Sequence, residues 1–142
     1  MTNEATLNRF IDAQRTDYDT ALAEIKNGRK RSHWMWYIFP QIQGLGFSQT
    51  SRFYAIKDMD EAIAYLKHPV LGKRLIDISN ELLTLPTNNA NTIFGSTDDL
   101  KLRSCMTLFA ALPDTHPVFE AVLEKFFGRI WDERTLELLN KK

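Results

Sequence analysis

The sequence predicts an all-α fold, a single compact domain of about seven to eight helices, several of them short. Three observations support this. Apolar residues recur at three- and four-residue spacing, glycine, proline and capping residues cut the chain into helix-length pieces, and no convincing alternating strand is present. A chain of 142 residues, 44% hydrophobic and 25% charged, is suited to one core, so the expected domain spans residues 1–142.

In residues 6–27, Leu7, Phe10, Ile11, Tyr18, Ala21, Leu22 and Ile25 mark one helical face, and Gly28 supplies the stop. Gln14 falls on that apolar stripe and must find hydrogen bonds or face a cavity. Ser32 is the expected cap of a short helix over 33–39, which ends before Pro40. Residues 41–47 read as loop. Ser48 caps a helix reaching Tyr54, and Asp58 with Glu61 has capping-box spacing for a helix ending near Lys67. Pro69 starts a longer helix with Val70, Leu71, Leu75, Ile78, Leu82 and Leu83, closed before Pro86.

Residues 87–97 are a loop around a short turn at 91–94, closed by Gly95. Ser96 or Thr97 is the expected cap of the next helix, whose first turn carries Asp98 and Asp99 and which ends near Leu112. Pro117 begins a helix that Gly128 stops, and Asp132 caps a last helix to Leu139.

Eighteen basic residues balance eighteen acidic ones, so the chain lacks the global positive field of nonspecific nucleic-acid binders and any anion recognition is local. Cys105 is alone and cannot form an intramolecular disulfide. With no apolar signal stretch at the N-terminus, a cytoplasmic location is expected. No apolar run approaches the roughly 20 residues that span a bilayer, which argues against a membrane partner. His33, His68 and His116 are too dispersed for a metal pattern, and no cofactor is implied. His68 and His116 each precede a proline and read as helix-entry residues. Nothing in the composition fixes an oligomeric state.

Residues 29–48 concentrate the costly chemistry. Arg29, Lys30 and Arg31 offer charge for a phosphate, and Trp34 offers a π face for a ring. Gly44 and Gly46, leading into a helix capped by Ser48, allow backbone amides to converge on an anion; Gln41 sits at the entry to that turn. The motif has no third glycine and no preceding strand, so it fails the dinucleotide fingerprint. His33 beside the basic run is the candidate for proton transfer. Asp98, Lys101 and Ser104 share a helix start, and Lys101 with Ser104 forms an i,i+3 pair of the kind used in Ser-Lys catalysis. Surface salt links and simple packing are the competing reading of these residues.

The chain resembles a bacterial family catalogued as domain of unknown function 1810, whose members often carry the automatic label calpastatin. The resemblance rests on Arg9-Phe10 with Ala13-Gln14, on Gly28 through Gln41, on Gly44-Leu45-Gly46 with Ser48, and on Glu61-Ala62 with Tyr65-Leu66. It continues through His68-Pro69, Phe94-Gly95, Asp98, Lys101, Ser104 to Phe109, and then Gly128, Asp132, Thr135 and Leu136. It implies an all-helical fold and carries no activity with it. The inhibitor that the label names is a largely disordered, proline-rich chain, whereas this composition forms a core, so inhibition of that kind is set aside. The resemblance also marks Gln14, His33, Lys101 and Ser104, polar positions that packing alone does not demand.

Three functional readings follow from these residues. The leading one is a small phosphorylated, nucleotide-like metabolite held in a pocket formed by residues 29–48 with Gln14 and the 98–104 helix start; whether it is also turned over is left open. The second is a protein-interaction module built on the aromatic 33–39 segment and Phe47. The third is single-stranded nucleic-acid binding, against which the zero net charge weighs.

Overall fold

The computed structural model of the protein describes residues 4–140. Among them the chain forms nine helices: α1 (Glu4–Lys26), α2 (Met35–Ile38), α3 (Gln49–Phe53), α4 (Met59–Lys67), α5 (Leu71–Leu83), α6 (Ala90–Phe94), α7 (Asp98–Ala110), α8 (Val118–Phe127) and α9 (Glu133–Leu139). No strand occurs among the described residues, and extended pairing is limited to a parallel bridge between Ile42 and Ile56.

Helix α7 is the centre of the packing. Leu102, Cys105, Met106, Leu108 and Phe109 are all fully buried, which covers more than one face and makes α7 a core helix rather than a surface one. Around it lie α4, α6, α8 and α9, while α5 joins α1, α4 and α8 into the same core. Burial pushes the Cys105 thiol well above its usual range, as an inert core cysteine requires.

Several helix starts follow the local chemistry of the sequence. Ser48 Oγ accepts from Ser51 N at 3.1 Å, Asp58 Oδ1 from Glu61 N at 2.9 Å, and Asp132 Oδ2 from Thr135 N at 3.2 Å. Both His-Pro pairs use the imidazole as the cap. His68 Nδ1 accepts from Val70 N at 3.1 Å and Leu71 N at 3.3 Å, and His116 Nδ1 accepts from Val118 N at 3.0 Å. Each helix therefore begins after its proline, α5 at Leu71 and not at Pro69.

Two expected caps are absent. Ser32 does not cap α2, which is only four residues long and has Trp34 at its cap position with no side-chain bond. Instead Ser32 turns back to α1, where its N–H and hydroxyl both donate to Glu24. Thr97 occupies the cap position of α7 without a side-chain bond, and Ser96 Oγ accepts from Asn91 Nδ2 at 3.0 Å. The turn expected at 91–94 is the short helix α6.

Candidate functional site

The basic and aromatic segment is organised by a carboxylate. Glu24, near the end of α1, accepts from Arg31 N at 2.8 Å, Ser32 N at 3.0 Å, Ser32 Oγ at 2.6 Å and Trp34 Nε1 at 2.9 Å. Burial acts to raise its pKa, but the bonds from Ser32, Arg31 and Trp34 outweigh it and hold the carboxyl down at about 2. Trp34 is thereby drawn inward to 1% exposure, against Phe39 and Phe94. It has no free face for a ring, so the stacking role expected of Trp34 does not fit its position.

Lys30 is similarly committed. Its Nζ lies 3.0 Å from Asp98 Oδ2, donates to Ser32 O at 2.5 Å and sits 5.1 Å from the centroid of the Trp34 ring. With only 8% of the side chain exposed, this cation ties the start of α7 to the 28–34 segment. Arg29, Arg31 and His33 remain exposed on the outside of that segment.

Gln14 lies elsewhere. At 2% exposure it donates from Nε2 to Tyr37 O at 2.8 Å and to Tyr65 Oη at 2.9 Å, and its Oε1 accepts from Arg74 at 3.4 Å. Its polar capacity is used inside the core, where it joins α1, α2, α4 and α5. The expectation that Gln14, His33, Lys101 and Ser104 meet in one pocket is corrected accordingly: Lys101 and Ser104 meet, and the other two do not line that cavity.

The cavity they share has a volume of about 230 Å³ and lies between the 41–51 segment, the first turns of α7 and the start of α9. Gln41, Gly46 and Ser51 form one side; Thr97, Lys101 and Ser104 form the other, with Asp132 beside them. Lys101 is the one cation among these lining residues. Its Nζ is 3.3 Å from Asp98 Oδ1 and 5.4 Å from the centroid of the Trp36 ring, with 28% of the side chain exposed. Asp98 thus bridges two lysines, one buried and one facing the cleft.

Ser104 is not paired with Lys101 as a nucleophile. Its hydroxyl contacts Leu100 O at 3.2 Å and Asp132 Oδ2 at 3.1 Å, while Lys101 faces Asp98 and Trp36. Asp132 Oδ2 also accepts from the Thr135 hydroxyl at 2.5 Å, and Asp132 N donates to Thr107 Oγ1 at 2.9 Å. In the sequence Asp132 stands out as a helix cap and as one of the residues of the family resemblance, with no site role. Its spacing to Thr135 was the available signal for the cap, but its approach to Ser104 arises from the packing of α9 on α7.

The glycines of the 41–51 segment serve packing. Gly44 has φ +108, a conformation that side-chain-bearing residues rarely adopt, and it lies against Leu138. A Cβ at Gly46 would meet Ser51 Cβ at 2.6 Å, so this glycine lets the loop close onto α3. Ser48 is engaged by Ser51 through both its backbone N–H and its hydroxyl. Gly46 still borders the cleft, whereas neither Gly44 nor Ser48 does.

A second cavity, of about 300 Å³, is mainly apolar and is bordered by Ile63, Leu66, Ile76, Leu112 and His116. Two of its polar groups are spent on local structure: His116 caps α8, and Thr115 Oγ1 donates to Phe109 O at 2.6 Å, while Lys67 and Asp114 lie exposed at its edge. The cleft at Lys101 is the better candidate because its lining is more polar and brings Gln41, Lys101 and Ser104 together. Among the described residues there is no cluster of three or more histidine, cysteine or acidic groups placed to hold a metal, and no helix long and apolar enough to cross a membrane.

Comparison with known proteins agrees with this fold. The crystal structure of the conserved hypothetical protein Rv1873 from Mycobacterium tuberculosis is similar, with a TM-score of 0.94 and 42% sequence identity over 99% of this chain and 100% of that one. No curated protein matches the chain. The family described as protein of unknown function DUF1810 matches residues 4–139, and the chain belongs to that family.

Proposed function

We propose that the protein binds a small phosphorylated, nucleotide-like metabolite in the cleft between residues 41–51 and the start of α7. The observation that supports this reading is the meeting of Lys101 and Ser104 with Gln41 and Gly46 around one cavity, although the two pairs are distant in sequence. Lys101 supplies the charge for a phosphate. Because Asp98 already takes part of that charge and no second cation among the described residues lines the cleft, a monoester is favoured over a polyphosphate. Asp132 Oδ1, whose cationic neighbour Arg103 is 3.8 Å away, keeps acceptor capacity for a ligand hydroxyl. The side chains of Gln41 and Thr97 make no hydrogen bond to the described residues and are available to orient polar groups.

A thermal-shift panel of phosphorylated metabolites tests the proposal. A ligand at 100 times its dissociation constant adds about 2.7 kcal/mol of stability, and Lys101→Ala should remove that gain. The proposal fails if no phosphorylated compound raises the midpoint, or if Lys101→Ala keeps the full shift.

A further inference from the structure

The cleft at Lys101 is too small for the ligand class proposed for it. Its volume of about 230 Å³ lies below the range of about 300 to 1,000 Å³ usual for small-molecule pockets. A ring-bearing phosphate must extend out of it. In one direction the polar lining gives way to aromatic residues. Gln41, Gly46 and Ser51 border both the cleft and a void of only about 10 Å³ that they share with Trp36 and Tyr54, so the cleft and these aromatic residues have a common wall and no channel between them. Trp36 and Tyr54 then continue into an open groove of about 500 Å³ with Tyr37 and Phe53.

This groove is unusual in its chemistry. Four aromatic residues line it, and Gln49 and Thr50, both exposed, add donors and acceptors. Phe53 is 58% exposed although it is a large apolar residue, and α3, which carries it, contains no buried residue. The rings are mutually ordered: Phe53 meets Tyr54 edge-on at 4.8 Å between centroids, and Tyr37 lies 5.0 Å from Tyr54. Trp36 stands at the junction, bordering the groove while its ring centroid is 5.4 Å from Lys101 Nζ.

We infer that the groove of Trp36, Tyr37, Phe53 and Tyr54 is the ring subsite of the Lys101 cleft, taking the planar heteroaromatic ring of a ligand whose phosphate lies at Lys101. The inference rests on the phosphate reading of the cleft and assigns the other end of the same ligand. Base stacking on aromatic side chains tolerates the identity of the ring, so any purine serves as a probe.

The test compares adenosine 5′-monophosphate, ribose 5-phosphate and adenosine by calorimetric titration of the wild-type chain and Phe53→Ala. Phe53 is exposed, so its truncation leaves the core intact. The monophosphate should bind at least about tenfold more tightly than ribose 5-phosphate, and Phe53→Ala should erase that advantage while leaving ribose 5-phosphate unchanged. Equal binding of the two phosphates overturns the ring subsite and leaves the cleft reading standing. Equal binding of adenosine and its monophosphate overturns the phosphate reading, and the ring subsite as part of it. Binding of none of the three overturns both. A concentration-dependent dimer that Phe53→Ala dissolves would make this face an interface between copies and also overturn the ring subsite.

Discussion

Ser104 Oγ lies 3.1 Å from Asp132 Oδ2, which joins the middle of α7 to the cap of α9 in the lining of the cleft. The same carboxylate oxygen accepts from Thr135 N and Oγ1, so one side chain fixes both the helix start and its docking. Asp132→Ala should therefore lower stability by about 1 to 2 kcal/mol, the usual cost of a lost cap. Asp132→Asn, which retains a carbonyl acceptor, should lose less. Urea unfolding at neutral pH measures both, and unchanged midpoints would refute the role given to Asp132.

Glu24 makes stability depend on acid. Its carboxyl is held at about 2 in the folded chain against an ordinary value of 4.5, so the folded state favours the charged form. That contribution is present above about pH 4.5 and is lost as pH falls toward 2. The urea midpoint of the wild type should drop between pH 5 and 2.5, and the drop should be smaller in Glu24→Gln. An identical acid profile in the two proteins would show that Glu24 does not carry this term.

Gln14 separates a structural role from a ligand role. Gln14→Leu nearly preserves volume but leaves Tyr37 O and Tyr65 Oη without the amide donor they share. A loss of about 1 to 3 kcal/mol is expected, the cost of leaving buried polar groups unsatisfied. The affinity for any cleft ligand should stay the same, as measured by titration at a temperature where the variant is folded. A selective loss of binding with unchanged stability would return Gln14 to the site.

Helix ends are set by local chemistry. Gly28 and Gly128 stop their helices at positive φ, and Ser48, Asp58 and Asp132 cap theirs, because each act involves residues within one turn. Ser32 has the same local chemistry and does not cap, since Glu24, eight residues earlier, offers a stronger acceptor for both its N–H and its hydroxyl. Nothing in the α1 periodicity marks Glu24, which stands off the apolar stripe. Trp34 was chosen for its π face, but the indole N–H bond to Glu24 and contacts with Phe39 and Phe94 decide where that face goes.

Of the residues singled out by their chemistry, Gln41, Gly46, Lys101 and Ser104 border one cavity, whereas Gln14, Arg29, Lys30, Arg31, His33, Trp34, Gly44, Ser48 and Asp98 do not line it. Asp132 and Trp36 enter only through long-range packing. The proton-transfer role expected of His33 has no supporting geometry, because His33 is exposed and outside the cleft lining.

The central claim is that a phosphorylated, ring-bearing ligand occupies the Lys101 cleft, and an amide-resolved titration of isotopically labelled protein with adenosine 5′-monophosphate tests it most directly. The account predicts that perturbed amides cluster at Gly46, Ser51, Thr97, Lys101 and Ser104 and extend to Phe53. Perturbations centred on Ile63, Leu112 and His116, or none at millimolar ligand, would contradict it.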